Sequence, residues 1–145
     1  MLARLVAVAA GAAGFTLATH LLDAVAVRGR SMAPALLPGD RLIVRRRRSA
    51  PRVGEVVVIR DPRRPDRELI KRVAAVDGDG VTLLGDNPAG STDAREFGPV
   101  AAGRVRWSVL FRYWPPSRAG ALPSSISTGR DPAAHRLSGS PSRQP

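Results

Sequence analysis

Hydrophobic and polar positions divide this chain into three regimes. Residues 5–22 carry no formal charge and are mostly apolar, and the apolar stretch runs on past Asp23 to Val27. That length is enough to span a bilayer, so the sequence predicts an apolar N-terminal helix over residues 1–27, serving as a membrane anchor. Its Ala and Gly content, and Asp23 near one end, make insertion weaker than for a Leu/Ile segment. Ala24-Val25-Ala26 also fits the small-residue site of a cleaved export signal, and a buried or peripheral helix is the third reading.

From about Val27 to Trp114 the pattern changes to short β-type runs separated by turns. Arg41–Arg45, Glu55–Arg60, Glu68–Val76, Val81–Leu84 and Gly103–Tyr113 read as strands, punctuated by Pro38-Gly39-Asp40, Asp61-Pro62, Asp77-Gly78-Asp79-Gly80 and Asp86-Asn87-Pro88. The fold class expected is mainly β: a compact antiparallel sheet or partial barrel over residues 28–114, preceded by the apolar helix. Arg45-Arg46-Arg47-Arg48 and the Arg63, Arg64, Arg67 cluster read as solvated loops. Residues 115–145, rich in Pro, Ser, Gly and Arg, show no hydrophobic period that would offset ordering entropy, and read as a disordered tail.

Composition narrows the chemistry. A chain of 145 residues accommodates one domain with a modest core. The absence of cysteine removes disulfide frameworks, thiolate metal sites and a thiol nucleophile. His20 falls in the apolar segment and His135 in the polar tail, so neither a Ser-His-Asp triad nor a histidine metal site is expected, and no cofactor or metal is implied. The net charge of +11 suits an anionic partner, whether nucleic acid or a lipid surface. Aromatic residues at 4% are too sparse for base-stacking platforms, and no nucleic-acid-binding signature is present, so nucleic acid is not the expected partner.

Among the 23 basic residues Lys71 is the one lysine, the remaining 22 being arginine. Arginine does not lose its proton near neutral pH, whereas a desolvated lysine can. In Leu69-Ile70-Lys71-Arg72-Val73-Ala74-Ala75, strand alternation places Leu69, Lys71, Val73 and Ala75 on one face and turns Arg72 to the other. Burial on an apolar face lowers the lysine's affinity for its proton. A serine hydroxyl needs such a base to become a nucleophile. Ser31 lies in Arg28-Gly29-Arg30-Ser31-Met32-Ala33-Pro34, where Gly29 allows close backbone approach and Pro34 stiffens the turn. A third polar segment, Gly85-Asp86-Asn87-Pro88-Ala89-Gly90-Ser91-Thr92-Asp93-Ala94-Arg95, reads by itself as a hydrogen-bonded turn.

In this order the three segments resemble the signal peptidase I family of membrane-associated Ser/Lys endopeptidases, over residues 27–114. Ser31-Met32-x-Pro34 is similar to the family's nucleophile motif, Gly39 to Val44 to its following Gly-Asp strand, Lys71-Arg72-Val73 to its general-base strand, and Gly85 to Arg95 to its last motif. The resemblance implies that Ser31 attacks the scissile carbonyl, Lys71 is the neutral base, Ser91 orients the amine, Asp93 and Arg95 form a supporting ion pair, and Met32, with Gly29 and Pro34, helps form the substrate site. It also implies precursor proteins with N-terminal signal or leader peptides as partners, and cleavage after small residues of Ala-x-Ala type.

The chain departs from that pattern at Ala35 and Ala94, where Thr and Ser are usual, and Gly29 leaves an oxyanion hole to backbone donors. The resemblance places the domain outside the cytoplasm, at the cell membrane. Arg28, Arg30 and Arg41 after the apolar segment outnumber Arg4 and the amino terminus before it, which favours the cytoplasm. A cytoplasmic site suits the alternative of a compact protease dedicated to maturing nickel superoxide dismutase. Self-cleaving repressor proteases share the dyad, but no DNA-binding module precedes Ser31. The reading of another class is a non-catalytic basic β module that binds nucleic acid or anionic membrane.

Overall fold

The computed structural model describes residues 21–124. Seven strands make one antiparallel sheet: β1 Leu22–Ala26, β2 Arg41–Arg46, β3 Val56–Arg60, β4 Glu68–Asp77, β5 Gly80–Leu84, β6 Val100–Ala101 and β7 Trp107–Trp114. Their order across the sheet is β1-β2-β7-β3-β4-β5-β6. The one α-helix among the described residues, α1 Ala94–Phe97, is a single turn.

The middle of the sheet is set by β3. Val56, Val57, Val58 and Ile59 are all buried, the continuous apolar run expected of a strand covered on both faces. Alternation divides it between two cores. Val57 and Ile59 pack with Leu69, Val73, Val81, Leu83, Val100 and Val105. Val56 and Val58 join Val27, Met32, Leu36, Leu42 and Val44. Each buried Val, Leu or Ile contributes about 1.5–3 kcal/mol of transfer free energy, so two linked clusters hold a sheet this size without disulfides.

Local sequence fixes the connections. Asp77 pairs with Gly80, leaving a two-residue turn in which Gly78 adopts φ 53°, a left-handed conformation that glycine takes without steric cost. A bulge between Val73 and Ala75 interrupts the β4 alternation, so Leu69 and Val73 stay in the core while Ala75 is exposed.

Four features differ from the sequence reading. Residues 22–26, placed at the end of an apolar helix, form β1, which pairs with β2 from Leu22↔Arg45 to Ala26↔Arg41. The rest of the proposed anchor, residues 1–20, lies outside the described residues, and no helix among the described residues is long and apolar enough to cross a membrane. Ala102–Arg104 is a 3-10 turn, so the last long strand begins at Trp107 and not at Gly103.

The third difference is residues 115–124, assigned to a disordered tail, which are part of the domain. Arg112 and Gly120 exchange backbone hydrogen bonds of 2.9 and 2.8 Å, Arg118 Nη1 donates to Asp40 at 3.0 Å, and Leu122 packs against the second core. Asp40, buried, is the organising anion here: it also accepts from Arg112 at 3.2 Å and from the Leu37 amide at 2.9 Å. Fourth, Arg47, counted among solvated loop residues, buries its side chain to 7% exposure and donates to Glu55 and Ser108.

Candidate active site

Lys71 faces Val57 across the β3–β4 pair and shares the face of Leu69 and Val73, as alternation requires. Its residue exposure is 1%. Burial, its largest influence, lowers the ammonium pKa from 10.5 to about 8; the Asp93 carboxylate opposes this, and Arg67 and Arg95 add to it.

The segment after β5 supplies the partners. Lys71 Nζ donates to Ser91 Oγ at 2.8 Å, and Ser91 Oγ donates to Asp93 Oδ2 at 2.6 Å. Directions follow from the donor inventory. An ionised carboxylate only accepts, so the Ser91 proton goes to Asp93 and the Ser91 oxygen must accept from the amine. Asp93 is fully buried and caps α1 through the Arg95 amide. Burial alone raises its pKa, but Arg95 Nε at 2.8 Å, Arg95 Nη2 at 2.6 Å, the Ser91 hydroxyl and the Gly85 amide at 2.9 Å outweigh it and hold the carboxyl well below the usual range. The same pairing raises the Arg95 pKa.

Ser31 is brought to this cluster from the loop between β1 and β2. Its carbonyl accepts from the Asn87 amide at 2.9 Å, and Asn87 Nδ2 donates to the Arg30 carbonyl at 3.1 Å. Gly85 permits the approach: a Cβ there would lie 2.5 Å from the Ser31 carbonyl oxygen and 2.6 Å from Ser91 Cβ, and would collide with Ser91 Oγ. Ser31 and Lys71 line one cleft of about 1130 Å³, together with Gly29, Met32, Thr92 and β1 residues Ala24 to Ala26. Among the described residues no hydrogen bond joins the Ser31 hydroxyl to the Lys71 amine, whose bond goes to Ser91.

Of the residues singled out from sequence, Gly29, Ser31, Met32 and Lys71 thus meet in the cleft, and Ser91 and Asp93 stand behind Lys71. Met32 is 1% exposed and belongs mainly to the second core. Pro34 does not line the cleft. Its carbonyl accepts from Arg118 at 3.3 Å, so it serves the loop's attachment. Arg95 also lies off the cleft and acts through Asp93.

Sequence reasoning gave no role to Gly85, Asn87 or Asp86. A glycine directly after a strand, next to a polar turn, is the one available signal for the first. Asp86 forms a bidentate pair with Arg72, at 2.8 and 2.7 Å, and Arg72 also donates to the Gly54 and Pro123 carbonyls at 2.9 and 2.7 Å. This pair ties the β5 exit to β4 and to residues after β7, next to the site but on the opposite face from Lys71.

Comparison with known proteins fits this geometry. The family model described as signal peptidase, peptidase S26, matches residues 1–83, more than half of the chain. The chain belongs to the signal peptidase family, peptidase S26. The matched span contains Ser31 and Lys71 and stops before Ser91 and Asp93. Curated relatives are similar over most of their length. The mitochondrial ATP-independent inner membrane protease subunit 1a of Arabidopsis thaliana is 32% identical over 71% of this chain and 77% of its own. The mitochondrial inner membrane protease subunit 2 of Mus musculus is 31% identical over 79% and 82%, and that of Danio rerio 29% identical over 81% and 78%.

Proposed function

We propose that this signal peptidase family member is a membrane-anchored serine endopeptidase that removes N-terminal signal or leader peptides from precursor proteins, with Ser31 as nucleophile and Lys71 as general base. One observation carries the proposal: a buried amine with a lowered pKa, its hydrogen bond committed to Ser91, in the cleft that Ser31 also lines. A neutral amine donating to Ser91 keeps its lone pair for another partner. The Ser31 hydroxyl is the partner proposed for it in the substrate complex, where catalytic hydrogen bonds commonly tighten.

The steps follow. Ser31 Oγ adds to the scissile carbonyl as its proton passes to Lys71 Nζ. The ammonium then protonates the departing amine, leaving an acyl-enzyme on Ser31. Lys71, neutral again, takes a proton from water as the oxygen adds to the acyl carbon, and the ammonium then returns that proton to Ser31 Oγ as the ester bond breaks, which releases the acid product and restores both groups. Backbone amides of the serine loop would face the oxyanion, since Gly29 offers no side-chain donor. The Asp93 carboxylate fixes Ser91, and Ser91 fixes the amine.

The cleft supports the substrate class that the family resemblance implies. Among the described residues β1 ends the sheet and pairs with β2 alone, and Ala24 to Val27 line the cleft. An extended peptide can add to that open edge and present a small side chain near Met32. The apolar residues ahead of β1 serve as the anchor, and the resemblance to exported-protein processing supports a domain on the outer face. The test is incubation of the full-length protein in detergent with an Ala-x-Ala signal-peptide substrate and, in parallel, with a nickel superoxide dismutase precursor. Wild type should cleave the first, and Ser31→Ala and Lys71→Arg should not. An active Lys71→Arg variant would rule out the neutral base, because Arg keeps the charge and cannot give up its proton.

A further inference from the structure

A second cavity, of about 400 Å³, lies at the other end of β1 from the cleft and is lined by Leu21, Arg45, Arg46, Arg47, Arg48, Ser49, Arg52, Glu55 and Ser108. Five of these residues are arginines and one is a carboxylate. That carboxylate is already engaged, by the Arg47 guanidinium and by the Arg52 amide at 3.0 Å. Arg45, Arg46, Arg48 and Arg52 are exposed and make no ion pair among the described residues. Arg47 is the built element: its side chain is buried to 7% exposure with its Nη groups held by Glu55, Ser108 and the Ser49 and Ala50 carbonyls, and its Nε has no hydrogen-bond partner among the described residues. A buried donor left unpaired in this way is costly unless a ligand completes it.

Position selects among anions. The Leu21 carbonyl accepts from the Arg46 amide at 2.8 Å and Leu21 lines the cavity, so the arginine cluster is fastened to a residue at the end of the apolar run in sequence. If that run crosses a bilayer, the cavity sits at headgroup level. We propose that Arg45–Arg48, at the end of β2, with Arg52 is a binding site for the phosphate of an acidic phospholipid headgroup, which holds the catalytic domain against the membrane surface. Each arginine near such a surface contributes about fivefold in affinity. The inference rests on the membrane anchoring proposed above and is independent of the Ser/Lys chemistry.

The test uses the full-length protein in a neutral detergent, with dihexanoyl phosphatidylglycerol, dihexanoyl phosphatidylcholine and inorganic phosphate as separate probes. Binding is read by thermal shift and titration calorimetry, and peptide cleavage is recorded alongside. Phosphatidylglycerol should bind at least tenfold more tightly than either other probe, and Arg45→Gln/Arg46→Gln/Arg48→Gln should lower its affinity by about 100-fold, at about fivefold per arginine. These three side chains are exposed, so the variant should fold, as a wild-type melting temperature without lipid would show. Arg63→Gln/Arg104→Gln, which removes charge elsewhere on the surface, should change the affinity no more than about twofold. Equal binding of inorganic phosphate would overturn the lipid assignment in favour of a free-anion site. Equal loss in the two variants would overturn the site altogether in favour of diffuse attraction. Neither outcome touches the cleavage assay, so failure here and failure of the peptidase reading are separable.

Discussion

Replacing Lys71 by Met keeps the unbranched side chain and removes only the titrating amine. In the folded protein burial lowers the amine pKa from 10.5 to about 8. Between those values the unfolded chain holds a proton that the folded chain has released, so wild-type stability should rise by about 1.4 kcal/mol per pH unit, about 3 kcal/mol in all. Below the folded pKa both states are protonated, and the whole cost of the buried ammonium is present. Lys71→Met is free of this cost, although it leaves Ser91 without its donor, at about 1 kcal/mol independent of pH. The variant's advantage over wild type should therefore be largest at neutral pH and shrink steadily above pH ~8. Urea unfolding of both full-length proteins in the same detergent, at half-unit steps from pH 7 upward, measures the difference and cancels every other titrating group. A difference that stays constant across the range would refute the lowered pKa and with it the neutral base.

Three further outcomes follow from the same contacts. Gly85→Ala should lose at least about tenfold in peptide cleavage and about 1–3 kcal/mol in stability, because the new Cβ meets the Ser31 carbonyl at 2.5 Å and must push the nucleophile loop or Ser91 aside; cleavage kinetics and thermal melts check it. Asp93→Asn and Arg95→Gln should move the acid limb of the cleavage profile in opposite directions. Asp93 raises the Lys71 pKa and Arg95 lowers it, so the first shifts the limb to lower pH and the second to higher pH, as pH-rate profiles would show. Arg72→Met strands the buried Asp86 carboxylate and should cost about 3–5 kcal/mol in denaturant unfolding.

The sequence revealed what local pattern controls and missed what distant partners decide. The β3 run and the Lys71 face were legible because strand alternation and apolar burial act within a few residues. The end of the apolar segment was not. A short Leu-Asp-Ala-Val-Ala run satisfies helix and strand alike, and only its pairing with β2, from Leu22↔Arg45 onward, makes it β1. Residues 115–124 have the composition of a disordered tail, yet Arg118 finds Asp40 from 78 positions away. Arg47 sits in a uniform run of four arginines, and nothing local marks it as the buried member. At the candidate site, Ser31 and Lys71 were singled out by residue chemistry, and Ser91 and Asp93 by the family resemblance. Gly85 and Asn87 do their work through backbone approach and carbonyl contacts, which side-chain reasoning does not expose.

A single lysine lets its protonation be read without assignment. Labelling the full-length protein with lysine enriched in 13C gives one side-chain Cε resonance, whose titration can be set beside the pH dependence of kcat/KM for peptide cleavage. One shared midpoint near pH 8 is expected, and Ser31→Ala should keep it in the resonance while showing no activity. A resonance that titrates near 10.5 while cleavage proceeds at neutral pH would contradict the claim that an uncharged Lys71 activates Ser31.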